Sequence, residues 1–133
     1  MFNVSESTLR RVLWLDAASG LAMGLSHFAL ASPLSAWTGI PSVWLEVAAV
    51  IVLGAASVAA WLASRSSPPA AGVRLLAAGN FAWVAASVWL AFGAGLPLTT
   101  LGLGWLLAQA LMVLLLAEIE WAGAGRSPAP LPA

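Results

Sequence analysis

The residues in this chain with the means to do chemistry are polar side chains set inside otherwise apolar stretches: Asp16, His27, Glu46, Asn80, Ser87, Gln109 and Glu120, with Ser57 and Glu118 beside them. A charge at the centre of a bilayer costs on the order of 2.5–3.5 kcal/mol, so such a group faces a partner or a cavity. Their spacing is helical. Eleven residues are close to three turns, which puts Asp16, Gly20, Gly24 and His27 on one face. Glu46 and Ser57 repeat that interval, as do Gln109 and Glu120, and Asn80 and Ser87 lie seven apart. Each apolar stretch therefore carries one polar stripe, and four inward stripes would make a polar seam. Depth suggests that His27 meets Glu46 at one end. Asp16, Asn80 and Glu120 gather at the other, within reach of Arg10 or Arg74. Glu118 falls on a different face from Glu120.

Proton or ion handling is the chemistry that such a seam offers, and Asp16 with Asn80 is the pair the sequence singles out. The structural alternative is interhelical glue, at roughly 0.6 kcal/mol per hydrogen bond. That reading fits Asn80, Ser57, Ser87 and Gln109. Catalytic residues are not expected, since no triad, paired-acid spacing or phosphate loop is present. Cysteine is absent, which excludes disulfides and thiolate ligation, and no metal cluster or cofactor is expected. A lone histidine such as His27 could hold a haem or a chlorophyll magnesium, but with one per chain packing or a bond to Glu46 is the expected role. Gly20-x-x-x-Gly24 would let helices approach closely.

Membrane helices must position these residues. Of 133 residues, 62% are hydrophobic and 8% charged, against about 25% charged in soluble domains. Apolar runs cover Val12–Ala31, Val43–Ala63, Leu75–Phe92 and Leu101–Trp121, each near the roughly 20 residues that span hydrocarbon. All eight prolines lie outside them. The expected fold is an all-α membrane four-helix bundle, up-down-up-down, forming one domain over residues 1–126 with a disordered tail at 127–133. Arg10, Arg11, Arg65, Arg74 and Arg126 fall on one side, while the connections 32–42 and 93–100 carry no charge. The positive-inside rule then puts both termini in the cytoplasm. Trp14, Trp61 and Trp121 lie toward the arginine side, Trp37, Trp44, Trp89 and Trp105 toward the other, and only Trp83 lies deep. A cleaved signal peptide is the weaker reading of the first run, which is too long and contains Asp16. The net charge of zero offers nothing to nucleic acid. Arginine without lysine, among much alanine, glycine and proline, reads as a bacterial inner-membrane protein from a GC-rich genome.

The halves echo one another at an offset of 64 residues: Arg10 falls on Arg74, Asp16 on Asn80, Phe28 on Phe92, and Pro33-Leu34 on Pro97-Leu98. A duplicated helical hairpin would produce this. Leu15-Asp16-Ala17, Pro33-Leu34, Asn80 with Trp83 and Ser87, and Gln109-Ala110 with Glu118-Ile119-Glu120 resemble a group of small, uncharacterised bacterial four-helix inner-membrane proteins. The chain is similar to DoxX-like proteins only in size and span count. That resemblance implies a topology and no activity. Three functions follow as expectations. The leading one is a non-enzymatic accessory subunit of a membrane complex, from the small size and missing catalytic set. The others are a small oligomeric transporter or proton-coupled carrier using the seam, and a haem- or pigment-binding subunit using His27. The expected partners are the bilayer and either another membrane protein or a second copy.

Overall fold

In the computed structural model, which describes residues 4–125, five helices follow in order: α1 (Glu6–Ala29), α2 (Ala31–Thr38), α3 (Ser42–Ala63), α4 (Ala70–Phe92) and α5 (Thr100–Ala124). No strand occurs among the described residues. Arg126 and the expected tail lie outside them. The starts are set by local chemistry. The Ser5 hydroxyl accepts from the Thr8 N–H at 3.1 Å at the head of α1, and the Thr99 hydroxyl accepts from the Gly102 N–H at 3.0 Å at the head of α5. Pro41 and Pro69 occupy the cap positions of α3 and α4, where a missing N–H costs nothing.

The helices overrun the apolar runs. Arg10 and Arg11 lie inside α1, and Arg74 lies inside α4. Hydropathy marks where lipid ends, whereas backbone hydrogen bonding continues through charged residues into the interface. The connection expected at 32–42 holds α2, with Pro33 as its third residue. Proline is tolerated there because the first N–H groups of a helix have no internal partner.

Three helices, α3, α4 and α5, are long and apolar enough to cross a membrane. Large apolar side chains cover the outside, with Leu75 at 73% and Phe92 at 69% exposure. Such a surface suits lipid, not water, and the chain is a membrane protein. The first expected span corresponds to α1, which falls outside that set. Asp16, Ser19, Gly20, Gly24, Ser26 and His27 dilute its apolar character.

The helices pack as two antiparallel pairs. Along α1, a Cβ on Gly20 would sit 3.0 Å from that of Ala56, and one on Gly24 would sit 2.5 Å from Leu53 Cγ. The glycines thus let α1 lie closest to α3, as the spacing predicted. At the arginine end Leu9, Leu13 and Ala17 bury against Ala59, Leu62, Val73 and Leu76. α4 and α5 form the second pair, joined by their polar side chains. Leu9 against Gly123 ties α1 to α5, while α3 and α4 touch sparsely. At the other end Ala31, Ile40, Leu45 and Leu106 make a smaller core, and the Thr99 N–H donates to the Thr38 carbonyl at 3.0 Å.

Candidate functional site: a carboxyl pair on one amide

Asp16 near the middle of α1 and Asn80 near the middle of α4 converge with Glu120 close to the end of α5. The Asn80 amide nitrogen donates to Asp16 Oδ2 at 2.9 Å and to Glu120 Oε2 at 3.0 Å. The two positions aligned by the internal echo, Asp16 and Asn80, thus meet directly. Burial deepens across the cluster: Asp16 is half-buried, Asn80 is 8% exposed and Glu120 is fully buried. Glu120 Oε1 is buried with no hydrogen-bond partner.

Two carboxyl groups on one amide need a positive charge to accompany them, since like charges this close in a medium of low dielectric cannot both stand alone. Among the described residues neither makes an ion pair with an arginine. This corrects the expectation that Arg10 or Arg74 would reach them. Arg10 Nε donates to the Ala63 carbonyl at 3.2 Å, and Arg74 lies over the Trp121 ring at 6.0 Å. Arg65 lies 4.4 Å over Trp61. The end of α3 presents unpaired carbonyls at the negative pole of its dipole, and tryptophan faces attract guanidinium groups.

A second polar set holds α4 to α5. Trp83 Nε1 donates to Gln109 Oε1 at 2.8 Å, and Gln109 Nε2 donates to Ser87 Oγ at 2.8 Å and to the Leu106 carbonyl at 2.9 Å. The Ser87 hydroxyl in turn donates to the Trp83 carbonyl at 2.8 Å. Every polar atom of the Gln109 amide is used, as interhelical glue requires. The sequence placed Trp83 deep but gave it no partner. Its position away from both interfacial tryptophan groups was the available signal.

His27 is buried, with Nδ1 2.7 Å from the Met23 carbonyl oxygen and its ring 6.1 Å from that of Trp105. It does not bond to Glu46. Glu46 and Ser57 lie on the exposed side of α3, and the Ser57 hydroxyl bonds only its own Leu53 carbonyl. The expected inward stripe of this helix is therefore corrected. α3 buries Leu45, Ala49, Val52, Ala56 and Ala59 instead, because small residues give the closest approach to α1. Glu46 lies near the helix start, where its carboxylate can extend to interfacial water. Glu118 is exposed, away from Glu120 as expected.

Three cavities lie among these helices. One of about 60 Å³ borders Asp16, Asn80, Met23 and Trp83, large enough for water. Met23 and Trp83 also line a cavity of about 440 Å³ between α3, α4 and α5, and Met23 lines a third of about 400 Å³ between α1, α2 and α5. His27 borders both larger ones. No set of three metal-ligating side chains occurs among the described residues.

The chain matches no protein-family model, and no curated protein and no solved structure is similar to it.

Proposed function

We propose that this is a four-span bacterial inner-membrane protein, with both ends in the cytoplasm, that works as a small proton-coupled carrier. The observation that carries the proposal is the convergence of Asp16 and Glu120 on Asn80, with no arginine paired to either among the described residues. A proton is the smallest charge that can sit between two carboxyl groups, and the neighbouring cavity gives it a route in by water. Asp16 is the half-buried, accessible member and Glu120 the buried one. α1 supplies the fourth crossing in this reading. It runs antiparallel beside α3, from Leu9 near Leu62 to Gly24 near Ala49, so it must traverse whatever α3 traverses. The orientation rests on Arg10, Arg65 and Arg74, which share one end of the bundle with Ala63 and Trp121. An accessory role in a larger complex draws on size alone, whereas the carboxyl pair gives the carrier a specific device.

The test is reconstitution into liposomes that enclose a pH-sensitive dye, with a membrane potential imposed across them. Wild-type protein is expected to acidify the lumen faster than empty liposomes. Asp16→Asn and Glu120→Gln should each abolish the difference, and Glu118→Gln should leave it intact. Wild-type flux equal to that of empty liposomes would refute the carrier, and co-purification of a fixed partner would then favour the accessory role.

A further inference from the structure

His27 is not part of the carboxyl pair, yet among the described residues it is the one titratable group lining the larger cavities. The Met23 carbonyl can only accept, so the His27 Nδ1 at 2.7 Å carries a hydrogen. In the neutral ring Nε2 is then a lone-pair acceptor. No partner for Nε2 occurs among the described residues, and it is not sealed off as Glu120 Oε1 is. His27 lines both cavities.

The rest of the larger cavity is apolar and aromatic. Trp44, Trp83, Trp89 and Trp105 all line it. Trp44 and Trp89 stack across the gap between α3 and α4, with centroids 6.2 Å apart and planes 14° from parallel. Val43, Val47 and Ile51 at its edge are more than half exposed, so in a bilayer its mouth opens sideways onto lipid. A volume of about 440 Å³ falls in the range that holds a small organic ligand. Among the described residues no Asp, Glu, Lys or Arg lines it. That disfavours a ligand with carboxylates, including a haem with its propionates. Flat indole faces favour a flat ring, and a lone acceptor favours one hydroxyl.

We propose that this cavity binds an uncharged aromatic lipophile carrying a hydroxyl, which enters from the bilayer, stacks among the tryptophans and donates its hydroxyl hydrogen to His27 Nε2. The proposal stands on the cavity and holds whether or not the carboxyl pair carries protons.

The experiment uses the full chain in lipid nanodiscs and two probes: a brominated alkylphenol and the matching brominated alkylbenzene without the hydroxyl. Bromine quenches tryptophan, so cavity occupancy is read as loss of intrinsic fluorescence against probe mole fraction. For wild-type protein, quenching by the phenol is expected to saturate, with a midpoint about fivefold below that of the benzene, the effect of one neutral hydrogen bond. In His27→Phe, which keeps the ring and loses the acceptor, the two midpoints should coincide. His27→Gln restores an acceptor and should recover part of the preference. Equal midpoints in wild type mean that the cavity takes acyl chains indiscriminately, and they overturn the proposal. A preference that survives in His27→Phe also overturns it, as would a visible absorbance band in the purified protein that is lost with His27.

Discussion

Replacing Asn80 by leucine is expected to destabilise the protein by about 3–5 kcal/mol, the cost of removing one partner from a buried charged set. Asn80 provides both of the hydrogen bonds that separate Asp16 from Glu120. Leucine is of similar size, so packing contributes little. If the cluster were ordinary interhelical glue, losing two bonds would cost only about 1 kcal/mol. The excess measures how strongly two desolvated carboxyl groups depend on the amide. Thermal or denaturant unfolding in mild detergent reads the difference. The same change made in Asp16→Asn/Glu120→Gln should cost far less, because the carboxylates are gone. An equal cost in both backgrounds would show that Asn80 acts through packing instead.

The second large effect concerns the α2–α3 turn, where it packs against the α4–α5 connection. Gly39 ends α2 at φ +78°, and a Cβ there would run into the Pro97 carbonyl oxygen. Gly95 has a similar φ of +70°, yet nothing lies within 4 Å of a Cβ built on it. The pair separates backbone strain from collision. Gly95→Ala should cost about 1–2 kcal/mol, the penalty for a left-handed residue. Gly39→Ala should cost at least 2 kcal/mol more than that, because backbone cannot step aside as a side chain can. It should also part the α2–α3 turn from Thr99, whose N–H bonds the Thr38 carbonyl. Hydrogen exchange at the Thr99 amide would report that parting. Equal costs at the two glycines would mean that the turn is not clamped against Pro97.

Much of this was legible because helical spacing and proline placement act locally. Asp16, Asn80 and Glu120 were placed at one depth by counting residues, and they meet. The glycines of α1 were read as an approach face, and they touch Leu53 and Ala56. The partners of His27 and of the arginines were not legible. Matching depth brought Glu46 toward His27, but facing is decided by which side of α3 packs best, and that side is small and apolar. The arginines found carbonyls and indole faces that do not show up as charge patterns. α2 is not legible because Pro33 signals a break in an apolar run, although the first turn of a helix accepts a proline. The lateral cavity arises from poor packing between α3 and α4, a property of two hairpins together and of neither sequence segment alone.

In the proposed carrier Asp16 and Glu120 share one proton beside Asn80. The infrared spectrum of the purified protein in lipid nanodiscs at neutral pH tests it most directly, through the carbonyl stretch of a protonated carboxyl group. One such band is expected, abolished in Glu120→Gln, displaced in Asp16→Asn and unchanged in Glu118→Gln. A spectrum with no protonated carboxyl band, or a band that survives unaltered in both Glu120→Gln and Asp16→Asn, would contradict it.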